Sequence, residues 1–167
     1  MRREQALSDL FVGFGPSLRR TAYLIVHDWH TSEDLVQATF VKLYLAWPRI
    51  REDELQAYAR RTLVNASLSH LCKQKRAHVM AVVPDTGTEY DRTPRDLIEA
   101  IAKLPPQQRA AITLRFLDQL SVAEVADILN VATGTVKSQH PEHSRLFASR
   151  GPTPASRRHS DEPQHRP

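Results

Sequence analysis

Apolar residues in this chain return every three or four positions. Leu7, Leu10 and Phe11 begin the series, Leu18, Ala22 and Ile25 continue it, and Val36, Phe40, Leu43, Tyr44 and Trp47 carry it to Pro48. This is the period of an α-helix with one buried face, and residues 1–78 show no sustained alternation of the kind a half-buried strand needs. Helices with a single apolar stripe bury it against one another, so the fold class is all-α. Gly15-Pro16 predicts a break and a restart, because proline suits the first turn of a helix. Ser32 predicts an N-cap, with Glu33 and Asp34 in the turn that follows. Beyond the polar stretch Arg49–Glu54, Leu55, Tyr58, Ala59, Thr62, Ala66 and Leu71 predict a helix over 55–75. Residues 1–78 thus read as a first domain of four helices.

Residues 79–93, VMAVVPDTGTEYDRT, hold Pro84, Asp85 and Gly87 without a period and read as a linker. The helical pattern resumes at Pro94, with Leu97, Ile98, Ile101 and Leu104 on one stripe. Pro105-Pro106 opens another helix, bearing Ala110, Ala111, Leu114 and Leu117. Ser121-Val122-Ala123-Glu124 fits a capping box, in which Ser and Glu each satisfy a backbone N–H of the other's residue. The helix it starts runs through Leu129. Asn130 tolerates the left-handed conformation of a tight exit, and Thr133 starts the next helix. Two short helices joined in this way read as a helix-turn-helix, whose second helix enters the major groove. Helical hairpins that bind nothing share the pattern, so alone it leaves function open. The second domain spans 94–139. Residues 140–167 hold five of the eleven Pro and four of the eight His, and only Leu146 and Phe147 as core candidates. This tail is expected to be disordered.

Composition removes several classes of function. The 167 residues suit one domain or two small ones, and the single Cys excludes an internal disulfide framework or a multi-Cys zinc site. With no apolar run of roughly 18 residues and no signal-peptide core, the expectation is a cytoplasmic protein without membrane insertion. His27-Asp28-Trp29-His30 offers too few ligands for a metal and reads as an interhelical turn. Cys72, near His70 and Lys73, is expected to be packed. No nucleophile triad, phosphate-binding glycine loop or supported carboxylate pair is present, so neither catalytic residues nor a cofactor are assigned. Residues 1–78 carry 12 basic and 8 acidic side chains, a net +4 equal to that of the whole chain. Within them, Arg60 to His78 holds five basic residues and no acid. A polyanion partner and a merely solvated helix face both account for that run.

Three stretches resemble a known family. RTAYLIVHDWHTSEDLVQATFVKLYLAW (Arg20–Trp47), AYARRTLVNASLSHLCKQKR (Ala57–Arg76) and LPPQQRAAITLRFLDQLSVAEVADILNVATGTVKS (Leu104–Ser138) stand in the order found in extracytoplasmic-function sigma factors, most closely those of the actinobacterial branch. The resemblance implies two helical domains, called regions 2 and 4 in the family, and a factor that places core RNA polymerase on promoters and helps open the duplex. It implies that Asp34 and Gln37 dock on the coiled coil of the polymerase β′ clamp while Val36 and Phe40 face the core. The helix after Pro48–Glu54 would capture and melt the minus-ten element. Arg60, Arg61 and Asn65 would supply hydrogen bonds there, and Lys73, Lys75 and Arg76 phosphate attraction. Thr133, Thr135, Lys137, Ser138 and Gln139 would read the minus-thirty-five element. An anti-sigma factor is the expected restraining partner.

After Ser138 the chain departs from the family. Where a basic helix is usual, Gln139-His140-Pro141-Glu142-His143 follows, and Pro141 predicts that the recognition helix stops near Gln139. The tail's composition is also that of a GC-rich coding sequence read in a shifted frame. Two further readings therefore stand beside the sigma factor: a regulator using only its helix-turn-helix, and a truncated sigma that occupies polymerase or an anti-sigma factor.

Overall fold

The computed structural model describes residues 2–77 and 95–138, with side chains described over 3–75 and 95–138. The expected linker 79–93, the expected disordered tail 140–167, Gln139 and the Arg76 side chain lie outside the described residues. Among those residues there are seven α-helices and no strand: α1 (Arg2–Val26), α2 (Trp29–Ala46), α3 (Leu55–Ala77), α4 (Arg95–Ala102), α5 (Pro106–Ile112), α6 (Val122–Leu129) and α7 (Thr133–Ser138). Short 3₁₀ turns at Trp47–Arg49 and Glu52–Glu54 connect α2 to α3, and a π-helical turn, Thr113–Leu117, prolongs α5.

The first unit, α1–α3, closes over Leu18, Ala22, Val36, Phe40, Leu43, Leu55, Ala59 and Leu63. It has three α-helices where the sequence reading expected four, because α1 runs straight through Gly15-Pro16. Two circumstances make that tolerable. Gly15 has no Cβ to collide with the proline ring, and the carbonyl that Pro16 leaves without an N–H belongs to Val12, a residue 73% exposed, where water can bond it. Ser32 is likewise not the N-cap. Asp28 caps α2 by accepting from the Thr31 N–H at 2.8 Å, and Ser32 is buried one turn inside, its hydroxyl donating to the Asp28 carbonyl at 2.6 Å. His27 leaves α1 at a φ of 57°, so the interhelical turn is His27-Asp28, and Trp29 and His30, also expected in the turn, already belong to α2.

The second unit is built on the punctuation that its sequence contains. The π turn leaves by way of Gln119, at a φ of 55°, with the Leu120 N–H donating to the Leu114 carbonyl at 3.0 Å. Both bonds of the Ser121–Glu124 capping box are present, at 3.2 and 2.7 Å. Asn130 ends α6 in the left-handed conformation with a φ of 53°, and the Val131 N–H returns to the Ala126 carbonyl at 3.0 Å in a Schellman closure. Val125, Ile128, Leu129 and Val136 are buried between α6 and α7, holding α7 as the second member of the helix-turn-helix.

The two units also share their interior. Ile25 of α1 and Val64 of α3 sit in one cluster with Ala110, Ala111, Leu114 and Val125, while Leu24 packs with Ile101 and Ile112. Arg109 of α5 adds a polar tie, donating from Nη1 to the Ile25 carbonyl at the end of α1, at 2.9 Å.

Candidate nucleic-acid interface

On α3, the buried line Leu55, Ala59, Leu63, Ser67 fixes which residues point outward. Arg61, Asn65, Ser69, Cys72 and Lys73 recur at spacings of three and four on the opposite side, and all are exposed, as is Lys75. Cys72 is thus not packed; it lies on the polar stripe, displaced from the line of Leu68 and Leu71 that leans on the second unit. Arg60, one residue before the exposed stripe, turns inward. Its side chain is 16% exposed, its guanidinium lies 5.2 Å from the Phe14 ring, and its Nε stands 3.4 Å from Asp118 Oδ2. Arg61 is ion-paired with Asp127 of α6.

On α7, Thr133, Thr135, Lys137 and Ser138 are all exposed, with only Val136 buried. The Ser138 hydroxyl donates to the Thr135 carbonyl at 2.9 Å. Capping keeps the supporting helix rigid beneath this surface, and hydrogen bonds from the Ser121 side chain and backbone hold the Glu124 carboxyl below its usual range. A short helix with hydroxyls, an amide-bearing neighbour and one lysine can donate to phosphates and base edges at once.

A third surface lies on α2. Asp34 and Gln37 are exposed, and Val36 and Phe40 are buried in the core. Val41 and Leu45 continue the line of Asp34 and Gln37 along the helix and are 59% and 71% exposed. Between α1 and α2 runs an open groove of about 350 Å³, bounded by Phe11, Val12, Pro16, Arg19, Glu33 and Gln37. The Arg19–Glu33 ion pair, 3.1 Å long, crosses it. Reading the core period did not find Val41 and Leu45. The signal that could have found them is apolar side chains off the buried stripe of an otherwise well-patterned helix.

Burial sets the chemistry where the units meet. The Asp118 side chain is 3% exposed and accepts from the Thr21 hydroxyl at 3.1 Å. Burial raises its pKa, against the opposing pull of Arg60 and Thr21. His27 is held down to about 4 by burial and then by the Arg109 charge, so its ring is neutral near pH 7. Among the described residues no group of three or more His, Cys, Asp or Glu could hold a metal ion, and no helix is long and apolar enough to cross a membrane.

Comparison with known proteins accounts for both units. Residues 10–77 match Sigma-70 region 2, and residues 95–140 match Sigma-70, region 4. The chain is 32% identical over 132 residues to the RNA polymerase sigma-E factor of Streptomyces avermitilis, covering 73% of this chain and 72% of that one. It is 33% identical over 128 residues to the sigma-E factor of Streptomyces antibioticus, covering 73% and 71%. Among solved structures, the sigma factor RpoE of Bartonella quintana, in complex with the anti-sigma factor NepR, superposes with a TM-score of 0.65 at 26% identity, covering 84% of this chain and 93% of that one. Two matched regions in order, on a helical framework with a helix-turn-helix at its end, mean that the chain belongs to the extracytoplasmic-function sigma factors of the sigma-70 family, which direct core RNA polymerase to promoters.

Proposed function

We propose that the α2 surface docks on the coiled coil of the polymerase β′ clamp, with Asp34 and Gln37 making polar contacts beside Val41, Leu45 and the groove. In the same reading α3 grips and opens the minus-ten element through Arg60, Arg61, Asn65, Lys73, Lys75 and Arg76. Helix α7 reads the minus-thirty-five element through Thr133, Thr135, Lys137 and Ser138, continued by Gln139. The factor works in the cytoplasm, without catalytic chemistry of its own, under the restraint of an anti-sigma factor. The observation that carries the docking is the exposure of Val41 and Leu45 on a helix whose other face is fully packed. Apolar side chains left in water beside polar ones are the usual core of a protein interface. A Val41→Asp, Leu45→Asp double variant tests it. The expected result is loss of co-purification with core polymerase at an unchanged melting temperature, and retained binding refutes the surface.

Two other readings make different predictions in the same assay. A regulator using only its helix-turn-helix would not associate with core polymerase at all. A sigma that only occupies polymerase would associate and then fail in promoter-specific run-off transcription. Pro141 motivates that second case, because a proline three residues beyond Ser138 predicts from the sequence that the reading helix stops near Gln139.

A further inference from the structure

Helix α7 turns an almost bare line outward. Val136 is its buried residue, and at about 100° per residue the positions two before and two after it stand about 160° away, facing out from the body of the protein. Those positions hold Gly134 and Ser138. Gly134 has no side chain, and the Ser138 hydroxyl folds back to donate to the Thr135 carbonyl at 2.9 Å. The longer polar side chains stand to either side, Thr133 and Lys137 on one flank and Thr135 on the other, all exposed. On α3 the same two positions about the buried Leu63 hold Arg61 and Asn65, so that helix reaches outward with long side chains. Helix α7 offers its backbone instead.

Nothing in the fold calls for glycine at 134. Its φ is not positive, and apart from its chain neighbours and its own helix backbone a Cβ there would meet no atom within 4 Å. Glycine is also the residue that a helix tolerates worst after proline, and α7 is only six residues long. An exposed residue that weakens a short helix, without relieving strain or crowding, points to something outside the chain that needs the space. Base edges in the major groove fit that description, because a recognition helix lies in the groove with its first residues against them. A methyl group at 134 would hold those edges off by about 1.5 Å, the length of one carbon–carbon bond. Hydrogen bonds from the Thr133 and Thr135 hydroxyls, about 2.8 Å long when formed, do not survive such a withdrawal. We propose that Gly134 is a positioning residue for the minus-thirty-five element: its missing side chain lets the outward line of α7 seat against base edges at the depth where Thr133 and Thr135 reach them. This rests on the reading of α7 as the minus-thirty-five helix and names what sets its depth.

The test uses reconstituted holoenzyme and a duplex whose upstream element the wild-type holoenzyme has selected from a randomised pool. The quantity read is discrimination, the affinity for that duplex over one with the upstream element scrambled, alongside the urea midpoint of the free chain. Gly134→Ala should raise the midpoint by roughly 0.2–0.5 M and lower discrimination about ten-fold. Gly134→Leu, a good helix former with a longer side chain, should abolish discrimination. A gain in stability beside a loss of recognition separates clearance from a structural role, which would move both the same way. Gly13→Ala is the control, since Gly13 of α1 is likewise exposed and has no atom within 4 Å of a Cβ. It should raise the midpoint and leave discrimination unchanged. An equal loss in Gly13→Ala overturns the proposal, as does a midpoint that falls together with discrimination in Gly134→Ala. A wild-type holoenzyme that selects no upstream element removes the reading of α7 and the clearance with it, whereas a selected element that Gly134→Ala discriminates as well as the wild type removes the clearance alone.

Discussion

Replacing Pro16 by alanine should stabilise the protein, and the size of the gain follows from where Pro16 sits. It lies inside the 25-residue helix α1, well past the first turn. In a helix interior proline is about 3 kcal/mol less favourable than alanine, through the missing N–H and the ring's collision with the preceding turn. Part of that cost is already offset here. The orphaned carbonyl belongs to Val12, a residue 73% exposed, and Gly15 removes the collision between a preceding Cβ and the proline ring. The net gain expected for Pro16→Ala is therefore about 1–2 kcal/mol. With a urea slope near 2 kcal/mol/M, the midpoint should rise by roughly 0.5–1 M in unfolding followed by far-UV circular dichroism. Gly15 supplies the stricter test. Apart from its chain neighbours, the nearest atoms to a Cβ there belong to the Phe11 ring, at an ordinary 3.8 Å. Gly15→Ala should accordingly stabilise by about 0.5–1 kcal/mol in the Pro16→Ala background, from helix propensity alone. In the wild-type background, where the new Cβ faces the proline ring, it should destabilise. A midpoint unmoved by Pro16→Ala, or a Gly15→Ala effect of the same sign in both backgrounds, refutes this account of the unbroken helix.

Ile25→Ala empties a fully buried site shared by both units and should cost about 2–4 kcal/mol while urea unfolding stays a single transition; two separated transitions would show that the shared core is energetically minor. Ser121→Ala breaks the capping box and should cost about 0.5–2 kcal/mol, read from the urea midpoint. His27, held down to about 4 when folded, is neutral while the unfolded ring takes a proton below about 6.5. Its contribution is therefore full above pH 6.5 and is lost as pH falls towards 4; because the ring is part-exposed, the loss should be on the order of 1–2 kcal/mol. Asp118, raised by burial, acts in the opposite sense at the acid end, so the stability difference between wild type and His27→Asn isolates the ring. Lys73→Ala with Lys75→Ala should flatten the salt dependence of promoter binding by a slope of about 1.8 if both meet phosphates; an unchanged slope means that neither does.

The parts of the fold legible in the sequence are those governed by neighbours along the chain. Ser121 and Glu124, Asn130, and the three- and four-residue spacing of the stripes that hold Leu18, Leu43 and Leu114 all work through contacts within a turn or two, and the structure follows them, whereas on α3 the stripe read through Thr62 and Ala66 lies one residue off the buried Leu63 and Ser67. Ser32 misled for a local reason of its own. It stands four residues after Asp28, on the same side of the helix, followed by the acids that suit a first turn, and only the hydrogen bond from Thr31 to Asp28 decides which is the cap. Gly15-Pro16 misled because the rule that proline breaks helices assumes a side chain before it and no water at the orphaned carbonyl. The shared interior was not legible at all, since Ile25 satisfies the stripe of its own helix, Val64 stands outside the stripe read on α3, and nothing in their spacing says that a second unit covers them.

The candidate site divides in the same way. A basic run without acids is visible from residues 60 to 78, but charge counting cannot say which cations are available. Adjacent residues on a helix are about 100° apart. That rotation sends Arg61 into line with Asn65 and Lys73 on the exposed stripe, and Arg60 in among Phe14, Thr21 and Asp118. The distinction matters energetically, because an exposed pair such as Arg61–Asp127 exchanges for water and phosphate at little cost, whereas taking Arg60 away from Asp118 leaves a buried carboxylate without its compensating charge. The contact between the units sets Leu24, Ile25, Val64, Leu68 and Leu71 of the first against the buried residues of the second, with the Arg109 tie to the Ile25 carbonyl and the buried Asp118 carboxylate beside them.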